Sequence, residues 1–186
     1  ISNFEEIYKI IKKNKVDIVI IGPEEPLVNG ITDFLKGKSV KVLGPSKFAA
    51  QLEGSKAFMK NLCKKNNIPT ADFGVFDEYD KASDFIQKSK VPIVVKADGL
   101  AAGKGVLICN SKDEAIIETK KILNGKFKSS KKVVLEEFLE GEELSYFVLV
   151  DKNSYSFFGS AQDHKKVGEG DTGLNTGGMG AYSPAR

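Results

Sequence analysis

The stretch from Val91 to Cys109 constrains the fold more than any other part of the chain. Val91-Pro92-Ile93-Val94-Val95-Lys96-Ala97 is followed by Asp98-Gly99-Leu100-Ala101-Ala102-Gly103-Lys104-Gly105, and then by Val106-Leu107-Ile108-Cys109. A Walker A loop needs a first glycine, a hydroxyl after its lysine and a helix behind it. Here Asp98 stands at the first glycine position, Gly105 replaces the hydroxyl, and a β-branched, apolar run follows. The segment therefore reads as strand, loop, strand. A glycine-rich turn between two apolar strands lets bare backbone N–H groups approach anions and take up positive φ. On a strand of period 2, Lys96 shares a face with Val94, while Ile93 and Val95 point the other way. An ammonium at the end of so apolar a strand needs a partner or a route to water. A phosphate under the loop would serve as that partner.

The flanking sequence supplies the rest of an α/β grammar. Ser2 and Glu5 read as a capping box opening an amphipathic helix with Phe4, Ile7, Ile10 and Ile11 on one face. Val16–Ile21 reads as a buried strand, residues 27–35 as a helix and Val40–Leu43 as a second strand, the order of a parallel βαβ layer. Because a helix comes first where a complete layer would open on a strand, and no initiating Met is present, the sequence reads as an internal piece of a longer protein. Helices are expected over 55–66, 79–89 and from Ser111 to near Gly125, with Ser111 and Glu114 as a second capping box. Phe73–Phe76 and Val133–Leu135 read as strands, and Leu144–Val150 with Tyr155–Ser160 as a hairpin across Asp151–Ser154. Residues 168–180 hold six of the 18 glycines, which predicts loop.

Composition removes other classes. No apolar run approaches the ~20 residues of a spanning helix. A net charge of +3 is too small to argue for nucleic acid, and the Lys126–Lys132 run reads as a solvated loop. Cys63, Cys109 and the lone His164 cannot build a zinc site by the usual spacing rules, and two separated cysteines suit a reducing compartment.

At this point a resemblance enters. Gly22-Pro23-Glu24-Glu25-Pro26-Leu27-Val28, Gln51-Leu52-Glu53-Gly54-Ser55-Lys56, the Val94–Val106 stretch and Glu136-Glu137-Phe138-Leu139-Glu140-Gly141-Glu142-Glu143 closely resemble the phosphoribosylamine–glycine ligase family of the ATP-grasp superfamily. So do Gln162-Asp163-His164-Lys165-Lys166 and Asp171-Thr172-Gly173-Leu174-Asn175-Thr176-Gly177-Gly178-Met179-Gly180-Ala181-Tyr182-Ser183-Pro184, which are more specific than the nucleotide motifs that related ligases share. The resemblance runs in order along nearly the whole chain. It implies a mixed α/β and α+β architecture: residues 1–54 as the end of a Rossmann-like N-terminal layer, and 55–186 as an incomplete ATP-grasp fold whose small lobe spans about 73–143, with ATP between two sheets.

The resemblance also implies roles. Lys56 and Lys96 would hold ATP phosphates beneath the loop of Gly99, Gly103, Lys104 and Gly105. Glu136, Phe138 and Leu139 would line the adenine slot, and Glu143 would accept from the ribose. Asp163, His164, Lys165, Lys166, Asp171, Asn175, Thr176, Gly177, Gly178, Met179 and Gly180 would form the substrate region, where lysines and bare amides suit a sugar phosphate and a carboxylate. His164 is either a base or a structural residue. The implied reaction joins glycine to 5-phosphoribosylamine with ATP through glycyl phosphate, giving glycinamide ribonucleotide, ADP and phosphate in cytoplasmic purine biosynthesis. Such transfer relies on positioning and charge neutralisation and on Mg²⁺ or Mn²⁺. Related ligases hold the metal with a Glu-x-Asn pair, which this sequence lacks, so the ligands are expected beyond Arg186 and the 186 residues alone are expected to be inactive. The alternatives are another ATP-grasp ligase, such as a biotin carboxylase-like enzyme, and an ATP-binding module without catalysis.

Overall fold

The computed structural model describes residues 2–101, 105–127, 130–170 and 172–185, with the side chains of all but Leu174 and Asn175. These form two compact units, residues 1–138 and 139–186.

The first unit opens with helix α1 (Phe4–Lys13), whose N-cap is Asn3 and not Ser2: the Asn3 side chain accepts from the Glu6 amide. Strands β1 (Ile18–Ile20) and β2 (Lys41–Leu43) pair in parallel, as the pattern predicts, but β1 is not the buried strand expected, since Ile18 and Ile20 are 56% and 72% exposed. Between them, the single helix expected over 27–35 is two, α2 (Glu24–Asn29) and α3 (Ile31–Leu35). Gly30 divides them at φ +96°, a left-handed conformation that ends one helix and opens the next. Ile11, Ile31 and Leu35 form the core of this layer, with Phe4, Phe34 and Val42 packed around it.

A short helix, α4 (Gln51–Gly54), has no signal in the sequence pattern. It leads into α5 (Lys56–Lys65), capped by Ser55, whose hydroxyl accepts from the Phe58 amide. Then come β3 (Phe73–Phe76), α6 (Tyr79–Lys88), β4 (Ile93–Ala97), β5 (Val106–Cys109), α7 (Lys112–Leu123) and β6 (Val133–Glu137). The four strands form an antiparallel sheet in the order β3-β6-β4-β5. The strand–loop–strand expectation around the glycine loop therefore holds. At α7 half of the predicted capping box forms: Ser111 accepts from the Glu114 amide, but Glu114 accepts from the amide of Asn110, one residue before the cap, and not from that of Ser111.

Alternation fixes what each sheet face does. Ile93, Val95 and Ala97 of β4, Val133 and Leu135 of β6, and Cys109 of β5 pack against Ala82 and Ile86 of α6 and Ala115 and Ile122 of α7. Phe127, inside the basic run, joins this core, and Lys126 pairs with Glu118 at 2.7 Å, so that run is more than a solvated loop. The opposite face carries Val94, Lys96, Val134 and Glu136.

In the second unit, β7 (Ser145–Val150) and β8 (Tyr155–Asp163) form the expected hairpin. The Asp151 carboxylate closes its turn by accepting from the amides of Asn153 and Ser154 and the Ser154 hydroxyl, and these bonds hold its pKa below the usual carboxylate value. The glycine-rich end is not all loop. β9 (Lys166–Gly168) pairs antiparallel with β10 (Thr172–Asn175), and β11 (Ala181–Tyr182) pairs with β8. Two-residue and bulged pairings of this kind leave no hydrophobic alternation to read.

Candidate nucleotide and substrate sites

The polar face of the four-stranded sheet is where the predicted nucleotide residues of the first unit meet. Val94 lies directly opposite Glu136, so Lys96 is the diagonal neighbour of Glu136 on the same face. Its ammonium lies 2.9 Å from Glu136 Oε2. The partner that Lys96 requires is thus a carboxylate from the next strand, Glu136, and not only a phosphate. A second ammonium, Lys60 of α5, also lies 2.9 Å from Glu136 Oε2. Lys60 is 3% exposed and Glu136 5%. The other oxygen, Glu136 Oε1, is buried with no hydrogen-bond partner among the described residues. An orphaned buried acceptor marks a place where a donor from outside would be welcome.

The root of the glycine loop is pinned on three sides. The Ala97 amide donates to Gly105 O at 2.8 Å, and the Asp98 amide to Lys132 O at 3.1 Å. The Asp98 carboxylate accepts from the Ser55 hydroxyl at 3.1 Å and the Ala57 amide at 3.1 Å, placing a negative group at the start of α5 where the helix dipole favours it. Lys56 donates to Gly99 O at 2.9 Å. Burial pushes the Lys56 pKa below its usual value, against the opposing pull of Asp98 and Glu53; Lys96 pushes it down further and Glu136 holds it up. Two of the glycines are required sterically. Gly99 stands at φ +86°, and a Cβ on Gly105 would lie 2.6 Å from Ala101 Cβ. Gly103 and Lys104 lie outside the described residues. Phe138 closes this unit 38% exposed.

The remaining predicted residues belong to the second unit. Leu139 is exposed, and Glu143 lies 4.0 Å from Lys165. Lys165 in turn pairs with Asp163 at 2.8 Å, an interaction that lowers the Asp163 pKa and raises that of Lys165. The backbone knits the two motifs together. The His164 amide donates to Gly180 O, the Met179 amide to His164 O, and the Thr176 amide and hydroxyl to Lys165 O. The Gly178 amide donates to the Thr176 hydroxyl. The His164 ring stacks on Tyr182 with centroids 6.0 Å apart, and Tyr182 donates through its hydroxyl to Gln162 Oε1. His164, Lys166 and Met179 line a cavity of about 330 Å³ with residues 167–170. Gly177 is exposed, and Asn175 pairs with Lys166 in the β9–β10 register. Asp171 and the Asn175 side chain lie outside the described residues.

Among the described residues there is no group of three or more His, Cys, Asp or Glu side chains that could hold a metal. No helix among the described residues is long and apolar enough to cross a membrane.

A two-helix-backed antiparallel sheet, a glycine-rich connection between two of its strands and lysines at the root of that connection define an ATP-grasp fold. The chain is similar in fold to the biotin carboxylase domain of Hydrogenobacter thermophilus 2-oxoglutarate carboxylase, at 21% identity and a TM-score of 0.71, covering 88% of this chain and 38% of that one. It belongs to the phosphoribosylglycinamide synthetase family: residues 54–186 match the family's ATP-grasp (A) domain and residues 1–53 its N domain. A curated phosphoribosylamine–glycine ligase from Mesorhizobium japonicum is 50% identical over 100% of this chain. The crystal structure of phosphoribosylamine–glycine ligase from Thermotoga maritima aligns with a TM-score of 0.77 at 39% identity, covering 91% of this chain and 42% of that one. The chain spans 44% of the length of the Mesorhizobium relative.

Proposed function

We propose that the enzyme carrying this chain joins glycine to 5-phosphoribosylamine at the expense of ATP, and that this chain supplies most of its nucleotide clamp and part of its substrate surface. The reading rests on one arrangement: Lys56 holds Gly99 O at the root of the glycine loop, and Lys96, still 24% exposed, meets Glu136 on the adjoining sheet face. The related biotin carboxylase domain was crystallised with MgADP, and the curated relatives are named for the glycine-ligating activity.

In this reading Lys56 and Lys96 turn to the phosphates as point charges, and the loop amides cover them. Glu136 Oε1 accepts from an exocyclic amino group such as that of adenine, Phe138 and Leu139 flank the base, and Glu143 accepts from the ribose. Lys165, Lys166 and the amides of residues 176–180 receive the anionic substrates, and His164 holds the 176–180 segment through its backbone. The protein's contribution to phosphoryl transfer is then orientation and charge balance. Mg²⁺ or Mn²⁺ is the expected metal, with ligands outside these residues. Residues 1–54 act as the N-terminal layer, and 55–186 as ATP-grasp, with a small lobe over about 73–143. Two free thiols suit a cytoplasmic enzyme.

The test uses the full-length enzyme. Sustained ADP turnover should require ATP, glycine and 5-phosphoribosylamine together, and Lys96→Ala should weaken ATP binding by at least about tenfold, the scale of one lost charge-assisted contact. ATP hydrolysis stimulated by bicarbonate and indifferent to glycine would overturn the assignment.

A further inference from the structure

The nucleotide reading uses Lys96 and Glu136 but leaves Lys60 unexplained, and Lys60 is the most deeply buried charged side chain described. Its environment is specific. The ammonium has three donors, and three acceptors surround it: Glu136 Oε2 at 2.9 Å, Thr70 Oγ1 at 2.7 Å and Ala71 O at 3.4 Å. The Phe73 ring covers it, with the ammonium 5.6 Å from the centroid. Lys96 differs. It shares the same carboxylate oxygen, but its side chain is 24% exposed, and Glu136 is the only hydrogen-bond partner found for it among the described residues.

Two ammonium groups therefore converge on one carboxylate, and they are unequal. One is saturated and enclosed; the other is held by a single bond and reaches solvent. If Lys96 were the sole counter-ion of Glu136, turning it toward a phosphate would leave a buried carboxylate uncompensated, which is strongly unfavourable. With Lys60 in place that penalty does not arise.

We infer that Lys60 is a positioning residue of the nucleotide site: it is the fixed counter-ion of Glu136, freeing Lys96 to engage phosphate and holding Glu136 Oε1 in place as an acceptor. The inference rests on the nucleotide reading given above. Lys60 touches no substrate itself and acts entirely through Glu136.

A double-mutant cycle in the full-length enzyme tests it, using Lys60→Met, Glu136→Gln, the pair together and Lys60→Arg. Steady-state constants for ATP and glycine are measured, along with thermal unfolding. Lys60→Met should raise KM for ATP about tenfold, the scale of a lost buried charged contact, and leave KM for glycine unchanged. Lys60→Arg should restore most of the loss. Glu136→Gln should also weaken ATP, and the double variant should be no worse than the worse single one, because a residue acting only through another adds nothing once that other is gone. If Glu136→Gln weakens ATP while Lys60→Met does not, or if the two losses multiply, the role given to Lys60 is wrong and the nucleotide reading stands. If Glu136→Gln leaves ATP untouched, the nucleotide reading at this carboxylate fails and takes the inference with it. Should Lys60→Met not fold, Lys60→Gln, which retains a donor toward Thr70, takes its place in the cycle.

Discussion

Asp98 joins two features that sequence places 41 residues or more apart, the root of the glycine loop and the first turn of α5. Replacing it with alanine removes the acceptor for the Ser55 hydroxyl and for the amide of Ala57, a residue only 8% exposed. Two charge-assisted bonds at about 1.5 kcal/mol each give a loss of about 3 kcal/mol, and the stranded Ala57 amide keeps the figure from falling much lower. Asp98→Asn keeps a neutral oxygen for the same donors and should cost about 1 kcal/mol. With a urea dependence of about 2 kcal/mol per molar, the alanine variant should unfold about 1.5 M earlier and the asparagine variant about 0.5 M earlier. Hydrogen exchange sharpens the test, since the Ala57 amide should lose protection far more than amides in the middle of α5. A midpoint for Asp98→Ala within about 0.3 M of wild type, or equal losses for the two variants, would refute the view that this carboxylate ties the loop to the helix.

Gly74→Ala places a Cβ 2.5 Å from the Phe76 ring and 3.2 Å from that of Phe85, so it should destabilise by roughly 1–3 kcal/mol in thermal or urea unfolding. Burial raises the Cys109 pKa to about 11, so a thiol reagent near neutral pH should label half-exposed Cys63 and spare Cys109 in the folded protein, as mass spectrometry of the labelled peptides would show. The same shift makes Cys109 favour the folded state below 9.0, its usual value, and that contribution should fade as pH rises towards 11. Lys56 runs the opposite way. Its depressed pKa means that the charged form opposes folding, and the penalty is relieved as pH rises through the folded value towards 10.5. ATP binding should then draw a proton onto Lys56 in that alkaline window, visible as a buffer-dependent binding enthalpy; an enthalpy independent of buffer there would exclude this role.

Periodicity made the sheet legible. Ile93 and Val95 against Val94 and Lys96 is a two-residue repeat, and both faces behave as the repeat requires. The cap at Ser111 was equally readable, because a hydroxyl before a helix has one local task. Ser2 misled because Asn3 beside it caps as well. The break at Gly30 and the pairing of β9 with β10 escaped because both depend on backbone conformation and not on which residues are apolar. In the candidate site, Lys96 stood out as a charge at the end of an apolar strand. Glu136, after Val133-Val134-Leu135, carried the same signal. Lys60 was harder. It looks like an ordinary helix lysine, and only its i, i+4 spacing from Lys56 hinted that both reach towards one face. Its partner lies 76 positions away, a distance that local pattern cannot span.

The β7–β8 hairpin has a practical corollary. Tyr146, Val150, Tyr155 and Phe158 are 63–78% exposed, and β7 lies at the rim of its sheet, where unpaired amides and carbonyls template further strands. An exposed apolar rim of this kind favours association between copies on concentration, and charged replacements on β7 should suppress it, as light scattering would show.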